Sequence, residues 1–108
     1  TYTTIQGDGP KVKKGQKVAV MYSGWLWEDT SDYFDSSWQD DREAFAVDPV
    51  GDAQVIEGWN EGLVGQKVGS QILLVVPPDK GYGKQGSPPK IPGDAPLIFV
   101  IDILSAVG

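Results

Sequence analysis

Apolar and polar positions fall into short blocks along the chain, and most of the blocks have period two. Tyr2–Ile5 alternates weakly and predicts a short edge strand. Gly7-Asp8-Gly9-Pro10 marks a turn, and Lys11, Lys13 and Lys14 form a solvated basic patch after it. Val18, Val20 and Tyr22 alternate with Ala19 and Met21 as a strand does. Gly24 interrupts this pattern, and Trp25-Leu26-Trp27 resumes it as an aromatic-rich strand. Residues 28–43 are polar and read as a solvated loop. Phe45-Ala46-Val47 is a further short strand, closed by Asp48-Pro49 and Gly51. Val55, Ile56, Trp59 and Leu63 recur at helical spacing, and Gly65 suits the end of that helix. Gly58 and Gly62 each cost about 1 kcal/mol against alanine in such a short helix, so it needs packing to persist. Ile72–Val76 predicts a buried strand stopped by Pro77-Pro78. Residues 77–96 carry six of the eight prolines and predict a long structured loop. Leu97–Leu104 is the last strand, apolar on both faces apart from Asp102.

About five strands and one short helix, without βαβ alternation, predict an α+β domain: an antiparallel sheet packed on the helix. The 108 residues suit a single domain spanning 1–108. The longest apolar runs, Ile72–Val76 and Leu97–Ile101, are far short of the roughly 20 residues a membrane span needs. A formal charge of −6 argues against a nucleic-acid partner. The chain has no cysteine and no histidine, which removes disulfides, thiolate nucleophiles, Ser-His triads and the usual zinc sites. Chemistry is left to carboxylates, hydroxyls, a few lysines, or shape. With no oligomerising heptad and no large apolar face in the pattern, a monomer is the default. The chain begins at Thr1, without an initiator methionine, and reads as a trimmed or processed form. A chain without cysteine folds equally well in any compartment, so the residues leave its location open between a cytoplasm and, if a signal segment preceded Thr1, the cell envelope or exterior.

Three motif matches fail on context. Gly81-Tyr82-Gly83-Lys84-Gln85-Gly86 spells a dinucleotide fingerprint, but Ser87-Pro88-Pro89 follows and forbids the helix that would hold a pyrophosphate. Ser87-Pro88-Pro89-Lys90 spells an acyl-transferase motif whose serine and lysine must share a helical turn, which the prolines break. The acidic stretch 28–43 lacks the ligand spacing of a calcium loop, so neither a metal nor a cofactor is expected. The aromatic residues are harder to set aside. Trp59 is the natural anchor of the short helix, but Phe34, Trp38 and Tyr82 lie in segments that read as loops. Rings on polar loops favour a small pocket for an apolar ligand or peptide as much as they favour core.

Tyr22-Ser23-Gly24, Tyr33-Phe34-Asp35-Ser36-Ser37, Val55-Ile56-Glu57-Gly58-Trp59-Asn60-Glu61-Gly62-Leu63, Gly81-Tyr82-Gly83 and Leu97-Ile98-Phe99 stand in the order and spacing of the FKBP-type peptidyl-prolyl cis-trans isomerases. The resemblance covers nearly the whole chain, and the pattern is closest to bacterial, actinobacterial-looking members. It implies a strongly bent antiparallel sheet half-wrapped around a short helix, with a hollow between them for a proline ring. Carried over by position, Trp59 is the floor, Tyr22, Phe45 and Phe99 are walls, and Asp35 and Tyr82 supply the polar groups. Val55 and Ile56 stand at the rim, and Phe34 and Ile91 complete the apolar lining. Gln54 stands where many members carry an acidic residue that contacts ligand. The stretch between Asp35 and Phe45 is one residue longer than in the best-known members and carries Trp38. The resemblance implies isomerisation of X-Pro bonds in peptides and unfolded proteins, and binding of tacrolimus- and rapamycin-type macrolides. A second possibility is a non-catalytic chaperone or binding module for extended, proline-containing segments.

Overall fold

A computed structural model describes residues 2–27, 35–36, 44–53, 55–86 and 91–108. Among the described residues six strands form one antiparallel sheet: β1 (Tyr2–Ile5), β2 (Lys17–Leu26), β3 (Asp35–Ser36), β4 (Phe45–Val47), β5 (Gln71–Val76) and β6 (Leu97–Val107). Their order is β1-β5-β6-β2-β3, with β4 pairing β2 beside β3. A seven-residue helix, α1 (Glu57–Leu63), is the single α-helix among the described residues. The α+β architecture is the predicted one, and Tyr2–Ile5 is indeed an edge strand.

The long central strands set the frame. β2 runs without a break through Gly24, because ten residues of ladder with β6 hold the backbone extended where a single glycine would otherwise weaken it. Its alternation is strict: Val18, Val20 and Tyr22 are buried, while Met21, Ser23 and Trp25 are only half-covered. β5 reads as a continuous apolar run, yet Ile72, Leu74 and Val76 are buried and Leu73 and Val75 only partly so. In an antiparallel sheet one face takes the core and the other faces outward, whatever the local hydrophobicity. β6 follows the same rule until Leu104, which bulges out where Ala19 pairs with Ser105 and Val20 with Ile103. The strand therefore extends to Val107, three residues beyond the predicted end, with Leu104 half exposed. Within the stretch expected as loop, Asp35–Ser36 pairs with Gly24 and Ser23 as β3, and the rest of 28–43 lies outside the described residues.

The helix packs its face against this inner surface. Trp59 and Leu63 join Val18, Val20, Ile72, Leu74, Val76, Ile101 and Ile103 in one core. Each such aliphatic side chain contributes about 1.5–3 kcal/mol when fully buried. Gly58 explains its own cost: a Cβ there would meet both γ-methyls of Val76 at 2.9 Å, so only glycine lets α1 sit this close to β5. After β5, Pro77 and Pro78 end the ladder and a 3-10 turn at Pro78–Lys80 reverses the chain. The described parts of the 77–96 loop are then stitched together, Gly86 N–H donating to the Tyr82 carbonyl and Asp94 N–H to the Gly83 carbonyl. A Cβ on Gly86, which sits at φ +66°, would strike the Ile91 and Pro92 backbone at 2.5–2.6 Å. That close crossing delivers Ile91 into the core at 4% exposure. Among the described residues no helix is long and apolar enough to cross a membrane.

Candidate functional site

Rings from three strands converge on Trp59. Tyr22 on β2 meets it edge-on at 4.9 Å between centroids, Phe99 on β6 at 5.3 Å, and Phe45 on β4 at 5.9 Å, all at 80–90° between planes. Tyr22 also touches Phe45 at 6.0 Å and Phe99 at 6.5 Å. Edge-to-face packing places the positive rim of one ring against the negative face of the next, and each pair is worth about 0.5–1.5 kcal/mol beyond its buried area. The sheet register makes this meeting possible. Phe99 pairs with Leu74 on β5 and with Gly24 on β2, and Gly24 in turn with Asp35, so Leu74 flanks the Phe99 ring on one side and the β2 position on its other side carries no side chain.

The cluster is buried at its base and open at one side. Trp59, Phe99 and Tyr22 are 4%, 3% and 7% exposed, whereas Phe45 is 38% exposed. The Trp59 Nε1 is the one buried side-chain nitrogen or oxygen without a hydrogen-bond partner among the described residues. An N–H left so costs roughly 1–3 kcal/mol. Val55 and Ile56 are half-buried against the core at the start of α1, and Ile56 is its N-cap residue, accepting from Trp59 N–H at 3.0 Å. Tyr82 stands on the loop after the 3-10 turn at 40% exposure, with Gly81 resting on Val76 and Leu97 behind it. Of the predicted set, the structure therefore gathers Tyr22, Phe45, Trp59 and Phe99 into one cluster and sets Val55, Ile56 and Ile91 around the same core. The backbone of Asp35 lies beside Gly24, and Phe34, Gln54 and the Asp35 side chain lie outside what is described.

Asn60 is a residue the sequence pattern did not single out. It is 3% exposed, and its Oδ1 accepts from the Gly51 and Ala53 N–H groups while its Nδ2 donates to the Ala53 carbonyl, each at 3.0 Å. One side chain thus ties the segment leading to Val55 and Ile56 to the helix that carries Trp59. The available signal was an asparagine in mid-helix, where that residue is disfavoured unless its amide serves backbone elsewhere. A second tie is at the surface, where Lys80 Nζ donates to Glu61 Oε1 at 2.9 Å and joins the Tyr82 loop to α1. The hydrogen bond to Glu61, then its charge, holds the Lys80 ammonium above its ordinary value. Among the described residues no three acidic, His or Cys side chains group as a metal site would require.

Residues 9–104 match the FKBP-type peptidyl-prolyl cis-trans isomerase family. Over 101 residues the chain is 42% identical to FK506-binding protein 1 of Gibberella zeae, covering 91% of this chain and 88% of that one. It is 42% identical over 94 residues to the human peptidyl-prolyl cis-trans isomerase FKBP2, covering 87% of this chain and 63% of that protein. The crystal structure of FkpA from Escherichia coli superposes with a TM-score of 0.83 at 35% identity, over 97% of this chain and 46% of that one. The chain belongs to the FKBP-type peptidyl-prolyl cis-trans isomerases. It is an isomerase domain by family, and it spans less than two thirds of FKBP2 and less than half of FkpA. These relatives include a fungus, a mammal and a bacterium, and do not place it with the actinobacterial members.

Proposed function

We propose that residues 1–108 act as one monomeric prolyl isomerase domain whose reacting surface is the hollow above Trp59, walled by Tyr22, Phe45 and Phe99. The observation that carries this is the open-sided ring cluster: three rings are buried as floor and walls, while Phe45 and Tyr82 stay accessible to a ligand. Rotation about an X-Pro bond faces a barrier of ~18–20 kcal/mol because resonance gives C–N partial double-bond character. Uncatalysed exchange takes roughly tens to hundreds of seconds. Water stabilises the planar, charge-separated amide more than the twisted transition state. Rings that strip water from the bound amide therefore disfavour the planar form relative to the twisted one, and a wall shaped to the twisted form adds differential binding. No proton moves and no covalent bond forms, which suits a chain without histidine or cysteine.

In this mechanism Trp59 supports the proline ring and Tyr22, Phe45, Phe99 and Ile91 exclude water. Tyr82 donates its hydroxyl to a carbonyl beside the proline, and Asp35 is a polar wall rather than a general base. Val55, Ile56, Gln54 and Phe34 hold the flanking chain. Peptides and unfolded proteins containing proline are the substrates, and tacrolimus- and rapamycin-type macrolides fill the same hollow; the FK506-binding name of the Gibberella zeae relative supports that ligand class. The net charge of −6 leaves nucleic acid without a role. A passive holder of proline segments is the second reading, favoured by the acidic 28–43 stretch, which would recognise basic clients in a salt-sensitive way.

The test is cis-trans exchange of a short Xaa-Pro peptide followed by NMR line shape, with and without rapamycin. Acceleration that the macrolide abolishes is the expected result. A folded chain giving no acceleration would leave the passive reading standing.

A further inference from the structure

Beyond the C-terminal end of α1, a second concavity of about 160 Å³ opens between β1, Lys11 and the chain that follows the helix. Its lining is polar throughout: Thr3, Gln6, Lys11, Gln66, Lys67 and Ser70, with Gly65. It shares no residue with the ring cluster. No carboxylate lines it, in a chain with 15 acidic and 9 basic residues.

The backbone forces its two lysines together. Lys11 and Lys67 form an antiparallel bridge, flanked by hydrogen bonds from Val12 N–H to the Gln66 carbonyl at 2.7 Å and from Val68 N–H to the Pro10 carbonyl at 3.0 Å. Those bonds skip residues 11 and 67 themselves. The pair is therefore of the non-hydrogen-bonded type, in which opposing Cα atoms come within about 4.5 Å and side chains leave on the same face. Val12 is buried at 1% and faces the core, so the Lys11 side chain faces outward. Like charges set directly opposite each other destabilise a sheet. Lys14 and Lys80 relieve their charge on Asp52 and Glu61, but among the described residues neither Lys11 nor Lys67 pairs with a carboxylate. Below them Ser70, only 2% exposed, accepts from Gly7 N–H at 2.9 Å through its hydroxyl oxygen and keeps its own proton to give. The Thr3 hydroxyl donates to Gln66 Oε1 at 3.4 Å, and the amide NH2 groups of Gln6 and Gln66 add further donors.

We propose that this cleft binds a tetrahedral oxyanion of the phosphate type, either free or carried on a phosphorylated side chain. An anion between the two ammonium groups turns their repulsion into two charge-assisted hydrogen bonds, and the hydroxyl and amide donors fix its remaining oxygens.

The test uses the whole chain with Lys11→Gln and Lys67→Gln, both at the surface and outside the hollow. Sodium phosphate is compared with sodium chloride at equal ionic strength, reading amide chemical shifts and the thermal midpoint. Phosphate is expected to shift the amides around residues 11 and 65–70 and to raise the midpoint, and each lysine variant to weaken binding about tenfold. In chloride alone, Lys67→Gln should raise the midpoint, because the facing charges are gone. A phosphoserine peptide and its unphosphorylated twin separate the two sources: tighter binding than free phosphate assigns the cleft to a phosphorylated segment, equal binding to the free ion. Shifts that chloride reproduces, or phosphate affinity unchanged in both lysine variants, would overturn the proposal. Isomerisation of the peptide substrate should be the same in all three proteins.

Discussion

The ring cluster around Trp59 and the lysine cleft share no residue, and they are opposite kinds of surface. Around Trp59, four rings meet, and among the described residues the one buried side-chain nitrogen or oxygen without a partner is its indole nitrogen. At Lys11 and Lys67, every lining side chain is polar and two positive charges face each other. In the proposed mechanism the first acts on a neutral amide by keeping water away, so its strength lies in area and fit. The second acts on charge, so its strength lies in donors and falls with salt. A small fold keeps both because their side chains point apart: strand alternation sends Tyr22 and Phe99 inward, and Lys11, next to buried Val12, is itself exposed.

The comparison can be broken most sharply at its apolar end. Trp59→Ala should cost ~3–5 kcal/mol in urea unfolding and abolish isomerisation, because floor and core anchor are one residue. Asn60→Ala should cost about 1–3 kcal/mol by freeing the Gly51 and Ala53 N–H groups. It should also raise KM for a peptide substrate more than it lowers kcat, since the Val55–Ile56 rim loses its tether while the rings remain. Tyr82→Phe separates stability from activity. Unfolding free energy should stay within ~0.5 kcal/mol, while kcat/KM falls about tenfold, the worth of one hydrogen bond. If activity survives unchanged in that variant, Tyr82 is not a substrate donor.

Salt and pH then sharpen the contrast. Raising sodium chloride from about 0.05 M to 0.5 M should leave peptide isomerisation within about twofold and weaken phosphate at the cleft severalfold. Between about pH 6 and 9 the isomerase rate should be flat, because no histidine or cysteine titrates there. The smallest effect belongs to Lys80. Its folded-state value is raised by Glu61, so the pair's contribution is complete below the unfolded lysine value near ~10.4 and is lost as pH rises through the folded one. The thermal midpoint should therefore show a Lys80-dependent drop only in strongly alkaline buffer, absent in Lys80→Gln.

Much of the frame was legible in the pattern of residues. Period-two blocks at 18–22 and 45–47, the helical spacing of Trp59 and Leu63, and the proline stop after Val76 all became the elements they predicted. The ring set was legible as a set, since Trp59 stood out as the anchor of the one helix. Asn60 was not, because its three partners lie seven to nine residues away in a turn whose path depends on the packed helix. β3 was missed for a similar reason: Asp35–Ser36 is a strand only because Ser23 and Gly24 stand opposite. The extension of β6 past Leu104 needed a bulge against Ala19 and Val20 that no local pattern announces.

Taken by itself, the sequence determined the element types, the exclusion of thiol and imidazole chemistry, and the family to which the motifs belong. Those follow from side-chain chemistry and from spacing along one strand or one helical turn. Tertiary structure alone decided which side chains meet across chain distance. It set Phe99 beside a glycine, drew α1 onto Val76 through Gly58, hung the rim segment on Asn60 and placed Lys11 opposite Lys67. The reason is that register and close approach are properties of pairs of segments. A single segment's periodicity says which face is buried, and only the partner segment says what that face touches.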